Sequence, residues 1–296
     1  MNLGIIGLGK MGNAIAYRAL KGGHKVFGFD INENSKLEAQ KIGVEIAPTL
    51  ADLVNLTEII WLMLPAGKVI DDTINSILPG LRPGKIIIDG GNSNFHDSIA
   101  RAEKLKKLDI NFLDCGVSGG LQGREFGFSL MIGGQKDTFE KAISIFRSLS
   151  AKDGFAYLGP SGSGHYVKMV HNGIEYALLQ SYAEGFNILK NCEYDLDLAK
   201  ISEVWLHGSI IRSWILELAH NIFLKDQEFK NISGEIGSGQ TGTWTVQEAK
   251  KIGIQVPLIE KSLEIRKLSQ QTGGNYATKL VALLRHEFGG HEVKKI

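Results

Sequence analysis

The chain has 296 residues, with 33 Lys and Arg against 32 Asp and Glu, for a formal net charge of +1. That length suits about two domains at ~150 residues each, and the even charge argues against a nucleic-acid binder working through a broad basic surface. Apolar residues make up 43% of the chain, too many for disorder, and two cysteines, Cys115 and Cys192, exclude a disulfide scaffold and point to a reducing, cytoplasmic setting.

A strand is expected over 2–6, close enough to the start to leave no signal peptide. A helix over 10–21 follows and stops at Gly22-Gly23; a strand over 25–30 and a helix over 34–41 come next. Ile59-Ile60-Trp61-Leu62-Met63-Leu64 is the longest apolar run. It is far short of the ~20 residues of a membrane span, and its lack of alternation marks a strand buried on both faces. Strands over 86–89, 110–114, 129–132 and 155–158 complete the set, with helical stretches between most of them. This rhythm predicts a mostly parallel, doubly wound α/β sheet covered by helices. It stops at Gly159-Pro160-Ser161-Gly162-Ser163-Gly164, and helices are expected over 166–190, 198–206, 214–221, 245–252, 257–268 and 277–286 with no further strand. The domains are therefore placed at 1–160 and, all-helical, at 161–296.

Gly7-Leu8-Gly9-Lys10-Met11-Gly12 is a G-x-G-x-x-G between strand and helix. Gly7 permits a tight turn, Gly9 lets backbone N–H groups close on a pyrophosphate, and Gly12 lets the helix pack on the strand. The first domain is thus expected to be a dinucleotide-binding, Rossmann-type domain. Asp30 closes the second strand, where a carboxylate accepts ribose hydroxyls and repels a 2′-phosphate, so NAD is expected and NADP is not. Leu64-Pro65-Ala66-Gly67 and Asp89-Gly90-Gly91-Asn92-Ser93 leave the carboxyl ends of strands, where ligands gather in such sheets. Asn92 is placed to bond both cofactor and substrate; its alternative is an N-cap for a helix starting near Phe95. No metal is expected.

Asp114-Cys115-Gly116-Val117-Ser118-Gly119-Gly120 reads as a strand entering a glycine-rich turn. The Ser118 hydroxyl and the N–H groups of Gly119 and Gly120 suit a carboxylate or phosphate. On the helix after the domain boundary, Lys168, His171, Asn172 and Glu175 share one face at ~100° per residue, with Lys168 and Glu175 ~10 Å apart along the axis. Val167, Met169, Val170 and Ile174 are expected to cover the rest of that helix, so the polar band is expected to line a cleft. A neutral lysine is a base and a glutamic acid a proton donor; beside a nicotinamide, the pair suggests alcohol oxidation with a second proton step. Arg266, Arg285 and His291 are the candidates for holding an anionic tail. Phe288 and Gly289-Gly290 make the C-terminus look folded against something.

These residues resemble the decarboxylating 6-phosphogluconate dehydrogenases, in a short NAD-preferring form, along nearly the whole chain. The opening glycine motif is shared with the wider β-hydroxyacid dehydrogenase group. Asp89-Gly90-Gly91-Asn92-Ser93, Val117-Ser118-Gly119-Gly120, Lys168-Met169-Val170-His171-Asn172-Gly173-Ile174-Glu175-Tyr176 and the Arg285 to His291 tail are more specific. The resemblance implies that Lys168 takes the proton from the C3 hydroxyl, that the 3-keto acid loses its C1 carboxylate as CO₂, and that Glu175 protonates C1 of the resulting enediol. It implies that Ser118, Gly119, Gly120, His171 and Asn172 hold the sugar acid. Tyr176 and Arg266, with Arg285 and His291 of a neighbouring subunit, would hold the phosphate of a homodimer or homotetramer. The family's long form has a phosphate-contacting lysine where this chain has Gly239, in the loop Ser238-Gly239-Gln240-Thr241-Gly242-Thr243. Competing readings are a dehydrogenase of a small unphosphorylated hydroxy acid, which would lack Glu175-Tyr176 and the tail, and a non-catalytic NAD sensor, against which Lys168 and Glu175 argue.

Overall fold

The computed structural model describes residues 1–237 and 239–296, so Ser238 lies outside the described residues. The strands are β1 (Asn2–Ile6), β2 (Lys25–Phe29), β3 (Glu45–Ile46), β4 (Ile59–Leu62), β5 (Ile86–Asp89), β6 (Asn111–Ser118), β7 (Phe128–Gly134) and β8 (Ser150–Gly159). They form one sheet in the order β3-β2-β1-β4-β5-β6-β7-β8, parallel throughout except where β6 meets β7. The reversal between β3-β2-β1 and β4-β5 is the switch point at which ligands sit in such folds. Helices α1 (Lys10–Lys21), α2 (Glu33–Lys41), α3 (Leu50–Leu56), α4 (Lys68–Ile77), α5 (Phe95–Lys106), α6 (Gly123–Phe126) and α7 (Lys136–Leu149) fall between the strands.

Strands with continuous apolar runs feed two cores. Leu3, Ile5, Ile59, Trp61, Ile86 and Ile88 enter one buried cluster, while Ile6, Ile60, Leu62 and Ile87 enter another. Successive side chains point to opposite faces, so a run such as Ile59 to Leu62 serves both sides at once. β3 is two residues long and was too short to register as an apolar pattern. β6 runs on through Gly116 and Val117 to Ser118, beyond the expected end, because β7 pairs with it as far as Ser129.

Helix α8 (Ser163–Lys190) leads into α9 (Leu198–Leu206), α10 (Trp214–Lys225), α11 (Gln240–Lys251), α12 (Pro257–Thr272) and α13 (Tyr276–Gly289). The chain divides into two units, Met1–Met169 and Val170–Ile296, with the division inside α8. The second unit has its own core, including Leu179, Phe186, Leu216, Phe223, Phe229, Leu280 and Leu284. Its helices start where the sequence supplies caps. Asp197 accepts from the backbone N–H groups of Ala199 and Lys200, Ser213 from that of Leu216, and Asn275 and Thr278 form a reciprocal capping box. Outside the helices, one isolated antiparallel bridge, Ile232 to Lys295, is found among the described residues.

Candidate active site

The glycine motif forms the turn from β1 into α1. Gly7 has φ +94°, and a Cβ there would run into the Met63 carbonyl oxygen; one on Gly12 would run into the Gly7 carbonyl oxygen. Gly9 is the N-cap of α1 and makes no side-chain cap bond, so the first N–H groups of the helix face outward for an anion. A Cβ on Gly9 would meet nothing within 4 Å. The turn is open where a pyrophosphate has to approach. A cavity of about 480 Å³ lies here, lined by Gly9-Lys10-Met11-Gly12, by residues 63–66 and 90–92, and by Val117. That volume is in the range of small-molecule sites. The structure therefore brings Gly9, Lys10, Met11, Gly12, Leu64, Pro65, Ala66 and Asn92 together, and the residues present fit a dinucleotide.

Asp30 and Leu8 stand beside that turn. One Asp30 carboxylate oxygen accepts from Leu8 N–H at 2.6 Å and the other from Asn32 N–H at 2.8 Å. A carboxylate has about four acceptor positions, so each oxygen keeps capacity for a ribose hydroxyl. Asp30 thus also ties the glycine turn to the end of β2, a role its spacing alone did not reveal. The alternative reading of Asn92 as a helix cap is corrected. Asn94 caps α5, accepting from His96 N–H at 2.9 Å, while Asn92 is exposed and on the cavity wall.

Ser118 ends β6, and Gly119 and Gly120 take φ values of +121° and +54° in the turn that follows. Two residues before Ser118, the missing side chain of Gly116 makes room for Lys168, whose Cβ and Cγ pack against it. The buried Asp114 of β6 fastens the start of α8, accepting from Gly162 N–H at 2.7 Å and His165 N–H at 2.9 Å. Lys168 is only 7% exposed.

Further along α8, Asn172 is buried and His171 and Glu175 are half-buried; His171 Nδ1 lies 3.0 Å from Asn172 Oδ1. Val167 and Ile174 belong to the apolar remainder of the helix, as expected, but this remainder is not all buried. These two are 39% and 59% exposed, while their polar neighbours turn inward. The inward turn of the polar band agrees with a cleft-lining role and not with a solvated face.

In the second unit, Arg266 is 4% exposed and stacks 3.4 Å over the ring of Tyr176. Both of its terminal nitrogens are buried without a hydrogen-bond partner. Arg285, 7% exposed, donates to the Gly237 carbonyl at 2.9 Å. Neither arginine takes part in any of the salt bridges found among the described residues. Burial pulls the Arg266 guanidinium down to about 10; the Tyr176 and Glu175 charges oppose this and the Arg285 charge adds to it. Burial also lowers Arg285, opposed by Tyr176 and Glu175. Two buried cations that share the charge of Glu175 carry more positive charge than it answers, which leaves a demand for an anion.

Arg285 was expected from a neighbouring subunit. Within its own chain it stands beside Arg266 and Tyr176, because α13 packs back on α10 and α12. The tail also stays home. Ser233 N–H donates to the Lys294 carbonyl at 2.9 Å, Ile296 N–H donates to the Asn231 carbonyl at 3.2 Å, and the His291 carbonyl lies 2.7 Å from His286 Nδ1. His291 is exposed, its ring folded over Gly289. Gly239 is the N-cap of α11, and a Cβ there would collide with the Tyr176 hydroxyl. The lysine of the long form has no room in this arrangement. On the cavity wall, the sequence marks Gly90, Gly91 and Val117 only within their motifs, with no role of their own, and Met63 only as part of a buried strand.

The family profile described as the NAD binding domain of 6-phosphogluconate dehydrogenase matches residues 2–159, and that of the 6-phosphogluconate dehydrogenase C-terminal domain matches residues 164–293. The NAD(+)-dependent, decarboxylating 6-phosphogluconate dehydrogenase of Haloferax volcanii is 43% identical over 300 residues, covering 100% of this chain and 99% of that protein. The decarboxylating 6-phosphogluconate dehydrogenase of Staphylococcus aureus is 40% identical over 90% of this chain and 61% of its own length. The 6-phosphogluconate dehydrogenase of Plasmodium falciparum, solved alone, with NADP+ and with 6-phosphogluconate, superposes with a TM-score of 0.82 at 34% identity, over 92% of this chain and 62% of that one. The chain thus spans about three fifths of the longer relatives and the full length of the shorter one. A glycine turn open to a dinucleotide, an inward polar band on α8 and a buried arginine pair accompany these matches, and the chain belongs to the 6-phosphogluconate dehydrogenase family.

Proposed function

We propose that the chain catalyses oxidative decarboxylation of 6-phospho-D-gluconate to D-ribulose 5-phosphate and CO₂. NAD, when bound, accepts the hydride from C3. Gly9 and the first N–H groups of α1 hold its pyrophosphate and Asp30 its adenosine ribose. Lys168, seated against Gly116, takes the proton of the C3 hydroxyl as general base. The β-carbonyl so formed lets C1 leave as CO₂, and Glu175 returns a proton to C1 of the enediol. Ser118, Gly119, Gly120, Asn92, His171 and Asn172 position the sugar acid.

The observation that carries this reading is the buried Arg266 and Arg285 pair, with both terminal nitrogens of Arg266 unmet and two cations beside the single carboxylate of Glu175. A small unphosphorylated hydroxy acid leaves those charges unanswered; a phosphate at the far end of a six-carbon acid satisfies them, with Tyr176 beside it. His291 joins them only if the tail moves. The chain works as a homodimer or homotetramer, a reading supported by the exposed row Ile174, Leu178 and Ile188 on α8. Turnover and CO₂ release with 6-phosphogluconate and with 3-hydroxyisobutyrate, each with NAD and NADP, test the assignment. Turnover of the unphosphorylated acid in preference to the phosphorylated one overturns it. Light scattering in solution tests the oligomer, and a monomer at working concentration overturns that part.

A further inference from the structure

Two loops of the cofactor cavity, after β4 and after β5, are held from behind by one side chain. Arg101 lies on the buried face of α5 and is 5% exposed. Its Nη2 donates to the Gly67 carbonyl at 3.2 Å, at the end of the first loop, and its Nε to Asp71 of α4 at 2.7 Å. Its Nη1 donates to Asp89 at 3.1 Å and lies 3.4 Å from the Ser93 hydroxyl. Asp89, fully buried, accepts in turn from Gly91 N–H at 3.1 Å and from the Ser93 hydroxyl at 2.7 Å. Asn92 therefore sits between two residues fastened to one carboxylate, and that carboxylate is fastened to Arg101. Arg101 itself is not on the cavity wall.

The strand order says which half of the cofactor these loops serve. Asp30 ends β2 on one side of β1, while β4 and β5 lie on the other, with the glycine turn at β1 between them. A dinucleotide with its pyrophosphate on that turn and its adenosine at Asp30 extends its nicotinamide half toward the two clamped loops. We infer that Arg101 is a positioning residue. With Asp89 it sets Asn92 and the 64–67 loop in the geometry that receives the nicotinamide half of the cofactor, without touching cofactor or substrate. The planar fork is essential to this, since a guanidinium reaches three acceptors in fixed directions and an ammonium is a point charge. The inference rests on the NAD reading above.

The test compares two ligands on Arg101→Lys and on the milder Ser93→Ala. NADH is titrated by its nicotinamide fluorescence, and ADP-ribose, which lacks the nicotinamide, by calorimetry. The expected result is an NADH Kd raised about tenfold in Arg101→Lys and about threefold in Ser93→Ala, with ADP-ribose within about twofold of the parent in both. NADH binding unchanged in both variants, or parallel loss of both ligands, overturns the inference, the latter by showing a general structural role. If Arg101→Lys does not fold, the Ser93→Ala pair of titrations decides alone. Failure of the parent protein to bind NADH overturns the cofactor reading itself, and the inference with it.

Discussion

Introducing at position 239 the lysine that the long form carries should weaken, not improve, use of the phosphorylated substrate. Gly239 has φ −150°, a conformation open to any residue, so the backbone raises no objection. The obstacle is the Tyr176 hydroxyl, which occupies the place of the new Cβ. Its ring cannot yield easily, being stacked under Arg266 at 3.4 Å on one face and packed against Gly242 at its edge. Displacing it forfeits a desolvated cation–π contact of ~0.5–2 kcal/mol, and overpacking adds ~1–3 kcal/mol. The new ammonium returns ~1 kcal/mol if it reaches the phosphate. The balance, ~0.5–4 kcal/mol, is a loss of kcat/KM for 6-phosphogluconate between about twofold and several hundredfold. Steady-state kinetics measure this, with NADH binding, expected unchanged, as the control for folding. Adding Tyr176→Phe removes the colliding oxygen and should recover part of the loss. A Gly239→Lys protein with a lower KM than its parent would refute the reasoning.

Lys168→Met should cut turnover ~10²-fold or more, as for loss of a general base, with NADH affinity intact; retention of a tenth of the parent's turnover argues against the role. Glu175→Gln should lose product formation with a modest change in substrate affinity, and unaltered turnover removes Glu175 from the mechanism. NAD should exceed NADP in catalytic efficiency by about tenfold or more, because Asp30 turns a carboxylate toward the place of a 2′-phosphate; an NADP preference contradicts it. Because Arg285 lies with Arg266 and Tyr176 of its own chain, co-expressing Glu175→Gln with Arg285→Ala should restore no activity in mixed oligomers. Recovery, with mixed species confirmed by mass, would show that the tail works in trans.

The parallel sheet was legible because both-face burial writes itself as unbroken apolar runs, as in Ile59 to Leu62 and Ile86 to Ile88. The cofactor turn was legible because glycines there answer a steric demand that no other residue meets. The polar band of α8 was legible from helical spacing, yet the exposure of Val167 and Ile174 was not, since periodicity does not say which apolar face is left uncovered. The end of β6 depended on pairing with β7, and the seating of the tail on hydrogen bonds between residues 231–233 and 294–296. Contacts that distant in sequence leave no local pattern. Arg101 left a faint one: it follows Phe95 and Ser98 at helical spacing on the buried face of α5, where an arginine is out of place unless it is paired.

The arginine pair also bears on how the folded chain survives between encounters with substrate. Holding Arg266 charged while burial pulls its guanidinium down to about 10 opposes folding by on the order of 3 kcal/mol, a sizeable share of the ~5–15 kcal/mol that keeps a domain folded. An anion at a hundred times its Kd stabilises the native state by ~2.7 kcal/mol, enough to offset nearly all of it. The stability of the second unit should therefore rise as an anion fills the site. Its melting temperature should climb with the concentration of the phosphorylated acid, and Arg266→Leu should flatten that climb while leaving the ligand-free protein no less heat-resistant than before. In a cell, the lifetime of the enzyme would then follow the supply of the compound it consumes.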